Sequence, residues 1–583
     1  METLDIVIVA AALIAFPAIG IWAARRAGQS TEEYFLSGRN MPWWLLGVSM
    51  VATTFSADTP NLVTDLVRND GVMGNWAWWA FLLTGMLTTF VYARLWRRSG
   101  MLTDLEFYEL RYGGKPAAFL RGFRAIYLGL VFNCLVMATV SLAGIKIGAA
   151  MLGLAPIQSL LLVGVLTLAY SVAGGLRGVI ISDFFQFTLA MIGSIGACLF
   201  ILKMPEIGGL NQLLVAEEVQ GKLNILPDFN DSKTLIPLLI IPLAVQWWST
   251  WYPGAEPGGG GYVAQRMLAA KDENHALGAT MLFNFAHYAL RPWPWILVAL
   301  ASLVIFPDLD SLRVAFPDLP EDKIGHDLAY PAMLSKLPAG LFGIVLASLI
   351  AALMSTLSTH LNWGASYIVN DFWARFLEEE DSNGNGPSRE TEKKRVNIGR
   401  IVTVILFVIS MLLALGLGSA LEAFSILLQI GAGTGLVFIL RWFWSRINAW
   451  SEISAMVASL AVAIIFQMEI FSANLEGHQQ LLLGVGITTV IWLLVTLLTP
   501  KESPEVLEGF YARIWPNRNS SERFSGLPIQ VLAILLGTLA IWSALFATGY
   551  FIYGNSMGGF MAAGISLVTG TALWRIGKSA FKL

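Results

Sequence analysis

Apolar runs long enough to cross a bilayer recur along this chain, and one of them is broken partway. The run "LIPLLIIPLAVQWW" at 235–248 leads straight into "STWYPGAEPGGGGY" at 249–262. A spanning helix needs about 20 apolar residues, so the run reads as the first half of one. Pro253, Pro257 and the glycines 258–261 then stop it. Hydrocarbon offers no water to unpaired backbone groups. Non-helical backbone at that depth therefore survives only inside protein or beside a watery cavity. The break implies either an interior site or a bare kink without a ligand.

Fifteen apolar segments can be read in the chain, the first near 4–24 and the last near 556–574. Residues are 56% hydrophobic and 13% charged, against about a quarter charged in soluble proteins. The fold class expected is an all-α polytopic membrane protein with the lipid bilayer around it. Counting the first segment as zero makes the broken one span 6. A net charge of −3 and the lack of any long basic block argue against a nucleic-acid partner. Cys134 and Cys198 lie far apart in apolar segments and read as buried small hydrophobes. No H-E-x-x-H or G-x-S-x-G pattern points to an enzyme, and no kinase or receiver module supports a sensor.

Charge sets the expected orientation. The opening "METLDIVIVAAALIAFPAIGIWAARR" carries Glu2 and Asp5 before its apolar run and arginines after it. That pattern is unlike a signal peptide and puts the N-terminus outside. Inner loops then hold "RLWRRSG", "SRETEKKR" and the tail "WRIGKSAFKL", while the outer "GGLNQLLVAEEVQGKLNILPDFND" is acidic and polar. The C-terminus is expected in the cytoplasm, in a cell membrane of the bacterial inner-membrane type. "EEEDSNGNGPSRETEKKR" reads as an inner linker.

Span 1, "MPWWLLGVSMVATTFSADTPNLVTDLV", is also interrupted, at "TTFSADTP". Two breaks five spans apart, in helices of opposite direction, are what an inverted repeat predicts. The expected divisions are an extra helix at 1–30, a first repeat at 31–203, a second at 204–445 and peripheral helices at 446–583. Broken helices expose carbonyls and N–H groups that can hold a cation and orient a solute.

Span 8 contains "LIAALMSTLSTHLNWGAS". Ser355 and Thr356 follow Ala352 by three and four residues and so share its helix face; Ser358 and Thr359 extend the hydroxyl cluster. Such hydroxyls are hard oxygen donors suited to an alkali cation, although one in an apolar helix also bonds its own i−4 carbonyl. Asp183 in span 5 is an ionisable group within the membrane. It marks an ion or proton path or a solvated inner helix end.

"YFLSGRNMPWW", "AYSVAGGLRGVIISDFFQ", "YVAQRMLAAK" and the span 8 hydroxyls together resemble the sodium:solute symporter family over roughly residues 30–470. The resemblance implies a LeuT-like 5+5 inverted repeat with extra flanking helices, alternating access, and uptake of a small solute coupled to Na+. It implies a sodium site from the carbonyls of Ala52, Phe55 and Ala352 with the hydroxyls of Ser355 and Thr356. It further implies a second sodium at Asp183, Ser355, Ser358 and Thr359, as in some relatives, and an inner gate at Tyr262.

The solute region departs from the family's sugar transporters. Trp78 stands where they use a glutamate, Thr59 stands near a glutamine position, and "YPGAEPGGGG" is unlike their sequences. Thr54, Asp58, Thr59, Trp78, Trp248, Trp251, Tyr252, Glu256, Tyr262 and Arg291 are the solute-site candidates. Arg291, followed by Pro292 and Pro294 within span 7, pairs with a solute carboxylate or with Asp58 or Glu256, or snorkels. The expected solute is an organic acid or amino acid first and a sugar second.

Overall fold

The computed structural model describes residues 1–23, 36–54, 56–171, 176–250, 256–378, 389–419, 424–467 apart from 426, 429, 430 and 432, 475–516 and 525–578. Among these the secondary structure is helical, with one isolated bridge between Met41 and Ala270. Among the described residues ten helices are long and apolar enough to cross a membrane, and three shorter apolar ones accompany them. The expectation of fifteen segments includes stretches such as 419–441, part of which lies outside the described residues.

Helices α1 (Thr3–Ala23), α2 (Trp43–Thr54), α3 (Asp58–Asp70), α4 (Val72–Ser99), α5 (Gly114–Leu152), α6 (Pro156–Ser171) and α7 (Leu176–Leu202) form the first half. The second half has α8 (Ser232–Ala244), α9 (Gly261–Leu268), α10 (Glu273–Ile305), α11 (Leu341–Phe376) and α12 (Arg389–Gly416). Then follow α13 (Ala449–Gln467), α14 (Gly477–Leu498), α15 (Leu527–Ile552) and α16 (Ser556–Ile576). Position follows sequence. The apolar window of α11 is 89% buried and that of α16 only 17%. The outer helices turn Leu, Ile, Val and Phe outward, as a lipid-facing surface requires.

Both interruptions are present. Helix α2 stops at Thr54, and α3 starts at Asp58 after the non-helical Ser56. The hydroxyls of Thr53 and Thr54 bond back to the carbonyls of Ser49 (2.9 Å) and Val51 (3.0 Å), giving the helix end an alternative to continuing. At the second break Ser249 and Thr250 on one side and residues 256–260 on the other are non-helical, and residues 251–255 lie outside the described ones. Gly258 and Gly259 have φ of +94° and +78°, a region that non-glycine residues rarely occupy.

The glycine segment is anchored from several sides. The Trp96 indole N–H donates to the Gly258 carbonyl at 2.6 Å, and the Gly261 N–H donates to Asp104 at 2.8 Å. Glu256 and Arg124 of α5 pair at 2.5 Å with both side chains 2% exposed. A Cβ on Gly260 would lie 2.6 Å from the Glu256 carboxylate. This segment is held within protein, which is how its free backbone groups avoid lipid.

The extra helix α1 has a specific task. Asp5, only 2% exposed, accepts from the N–H groups of Gly340 (2.8 Å) and Gly343 (2.9 Å). It thereby caps the start of α11, whose first-turn N–H groups have no partner within the helix. Leu13 and Phe16 flank one small pocket with Ala351 and Met354, so α1 and α11 run parallel. Asp5→Ala is expected to cost about 1–2 kcal/mol, read as a lower melting temperature in detergent. Asp5→Asn, which keeps an acceptor, should recover most of it.

At the C-terminal end of α5, Lys146 bonds both oxygens of Asp327 at 2.6 Å and the Gly418 carbonyl at 2.9 Å. Arg68 of α3 bonds the Ser302 hydroxyl at 3.0 Å and the Phe306 carbonyl at 2.7 Å. The loop between α10 and α11 is thus tied to α3, α5 and the end of α12.

Candidate sodium and solute site

The break in the first half opens onto a cavity. Thr54, Ser56, Asp58 and Thr59 line it from that break, with Thr139 from α5, Tyr262 from α9, and Thr356 and His360 from α11. Leu62, Val136, Val140, Phe424 and Leu427 supply an apolar wall. One Asp58 carboxylate oxygen is buried without a hydrogen-bond partner among the described residues. A buried unpaired acceptor costs about 1–3 kcal/mol or more, which a donor on a bound solute would recover. Asp58 is also the first residue of α3, where the helix dipole favours a negative group.

Beside the cavity, α2 meets α11. The Thr356 hydroxyl donates to the Thr53 carbonyl at 3.3 Å; Ala52 and Ala352 are each 4% exposed. The Ser355 hydroxyl donates to one Asp183 oxygen at 2.7 Å, and the Ser49 hydroxyl donates to the other at 2.6 Å. Ser358 bonds back to the Ser355 carbonyl at 3.0 Å. The Thr359 hydroxyl is buried with no hydrogen-bond partner among the described residues. Hydroxyls and a carboxylate therefore converge from α2, α7 and α11, and carbonyls at the α2 break lie next to them. The acceptors in this set are all oxygens, which suits a hard cation, and the Arg266 guanidinium already reaches two of them, at Ser49 and Thr53.

This chain belongs to the sodium:solute symporter family. The family model matches residues 34–461. The symporter is 25% identical over 516 residues to the sodium/glucose cotransporter of Vibrio parahaemolyticus, covering 86% of this chain and 91% of that one. It is 27% identical over 499 residues to a sodium/mannose cotransporter of Bos taurus, covering 79% and 78%. Its fold is that of a Na+-coupled sialic acid symporter solved in a substrate-bound outward-open state. That comparison has a TM-score of 0.65 at 20% identity and covers 86% of this chain and 99% of that one. The architecture is LeuT-like, and sodium is the coupling ion.

Several solute-site candidates of the symporter lie away from the cavity. The Trp78 indole N–H donates to Asn75 at 2.8 Å, and its ring stacks on Tyr288 at 5.8 Å. Trp248 packs with Ile241 against Leu481 and Val485 of α14. Glu256 is engaged by Arg124. Arg291 hydrogen-bonds to the His287 ring at 2.6 Å and sits 5.3 Å over Trp295. Thr54, Asp58, Thr59 and Tyr262 do line the cavity. Phe55, Trp251 and Tyr252 lie outside the described residues.

The sequence reading missed two histidines. His287, on a wide π turn at Ala286–Leu290, meets the Thr54 hydroxyl at 3.1 Å and so links the first break to Arg291. His360 lies 5.7 Å from the Tyr262 ring and bonds Asn133 at 2.7 Å. A spacing signal existed: Thr356 and His360, like Tyr262 and Arg266, are four residues apart and share a helix face.

Proposed function

We propose that the chain carries a small amino-acid-like solute inward with sodium, by alternating access, without covalent chemistry. Sodium would bind at the carbonyls of Ala52, Phe55 and Ala352 with the hydroxyls of Ser355 and Thr356. The single observation carrying this reading is the junction of the interrupted helix with α11, where the Thr356 hydroxyl reaches the Thr53 carbonyl. The solute would sit in the adjoining cavity with an ammonium group on Asp58. Support for a donor-bearing solute is the unpartnered Asp58 oxygen. A sugar is the second reading, favoured by the names of the Vibrio and Bos relatives.

The two transport repeats would be 31–203 and 204–445, in a cell membrane of the bacterial inner-membrane type, with the N-terminus outside and the C-terminus in the cytoplasm. The basic residues of the loops support that orientation.

Proteoliposome uptake of amino acids, hexoses and monocarboxylates, with and without a sodium gradient, tests the reading. An amino acid should accumulate only with sodium. Asp58→Asn should lower its uptake about tenfold or more, since a charge-assisted bond is worth about 1.5–3 kcal/mol. Sodium-driven hexose uptake would pass the assignment to the second reading. Monocarboxylate uptake insensitive to Asp58→Asn would reject both.

A further inference from the structure

Arg266 lies one helical turn beyond Tyr262 on α9, and its side chain is fully buried. Its Nε donates to the Ser49 hydroxyl at 2.8 Å. One terminal nitrogen donates to the Thr53 hydroxyl at 3.0 Å and lies 3.5 Å from Asp183. The other donates to the Tyr262 carbonyl at 3.2 Å. A guanidinium thus stands among the oxygens around Asp183, where the family resemblance implies a second sodium.

Three observations bear on what it does there. Asp183 is wholly buried, and an unpaired charge at such a place is strongly unfavourable. A cation or a bound proton must therefore neutralise it at every stage of a transport cycle, and Arg266 is the fixed cation at hand. The Arg266 contact is also loose: Arg124–Glu256 and Lys146–Asp327 close to 2.5 and 2.6 Å, whereas this pair stays at 3.5 Å. Asp183 instead spends its short bonds on the Ser49 and Ser355 hydroxyls. Finally, the Thr359 hydroxyl, one helical turn beyond Ser355, is 5% exposed with no partner among the described residues. It is an unused oxygen on the helix face that carries Ser355.

We propose that Arg266 is a tethered stand-in for the second sodium. The ion and the guanidinium are alternative partners of Asp183, and Arg266 neutralises the carboxylate whenever the ion has left. Sodium held by Asp183, Ser355, Ser358 and Thr359 beside an unmoved guanidinium would leave two positive charges against one carboxylate. Arg266 therefore withdraws as sodium enters and returns as it leaves. The empty carrier then resets without a bare buried carboxylate. Arg266 acts on the ion through Asp183 and sets how tightly the ion is held. The proposal rests on the sodium reading above.

The test is a sodium titration of thermal unfolding and of radioactive sodium binding, with the full-length protein in detergent and choline balancing ionic strength. Removing the competitor by Arg266→Gln should lower the sodium midpoint by about tenfold, within the usual range of coupling between sites. Asp183→Asn should reduce the ions bound per chain from two to one. Arg266→Lys keeps the charge but cannot reach Ser49 and Thr53 together, so its midpoint should fall by less. It decides the matter should Arg266→Gln not fold. An unchanged or raised midpoint in the folded variant overturns the proposal and leaves Arg266 a structural tie. A wild type that binds one ion, with Asp183→Asn making no difference, overturns this inference alone. A wild type indifferent to sodium overturns the sodium reading with it.

Discussion

Replacing Ser355 with alanine and Thr356 with valine together is expected to abolish sodium-driven uptake, by a hundredfold or more. Hydrogen bonds or ligand contacts to a charged group are each worth about 1.5–3 kcal/mol. Losing two would weaken sodium binding by roughly 10²–10⁴-fold. The Ser355 hydroxyl also serves Asp183, and the Thr356 hydroxyl also ties α11 to the end of α2 at Thr53. Both sodium affinity and the junction should therefore suffer. Thr356→Ser keeps the oxygen and should retain most of the activity. Radioactive sodium binding and solute uptake, measured side by side, check this. Normal sodium dependence in the double variant would move the cation elsewhere in the molecule.

The second large effect concerns the ion pair behind the glycine segment. Glu256→Ala leaves the Arg124 guanidinium buried without its carboxylate, and removing one partner of such a pair costs about 3–5 kcal/mol. The residual cation would keep its ring contacts with Phe438 and Tyr108, at 4.8 and 5.4 Å, which soften the loss slightly. Replacing both members, Glu256→Leu with Arg124→Met, removes the orphaned charge. That double variant should be much nearer wild type in stability, because apolar substitutes for buried pairs are often neutral. Thermal unfolding of the two single variants and the double variant gives the coupling energy. A single variant as stable as the wild type would mean that water reaches Arg124.

Features written locally in the chain were legible before the structure. The breaks follow from Pro60 and the threonines at 53–54, and from Pro257 with the glycines 258–261, because each acts on its own turn of backbone. The hydroxyl face of α11 follows from helical spacing alone. That Asp183 accepts from Ser355, 172 positions away, is not written locally and came only with the family resemblance.

What could not be read were pairings across the fold. Arg124 and Glu256 are 132 positions apart, and Thr54 and His287 are 233 apart; no periodicity links such residues. Composition also misled. Tryptophans beside a break suggest an aromatic cavity, yet Trp248 faces α14 and the Trp78 N–H is spent on Asn75. A large amphipathic ring fills gaps between helices as readily as it contacts a solute. Arg291 illustrates a different limit. Its histidine partner stands only four residues before it, a spacing that helical periodicity could have offered but that a search for carboxylate partners passed over.

The cap that Asp5 places on Gly340 and Gly343 has a consequence for how the molecule is made. Synthesis delivers the N-terminal part first, so α1 is already in the membrane when the ribosome reaches α11. The helix bearing Ser355 and Thr356 thus emerges beside a waiting carboxylate. A nascent chain deprived of α1 would lack that greeting, and its eighth span would enter the lipid with a frayed beginning.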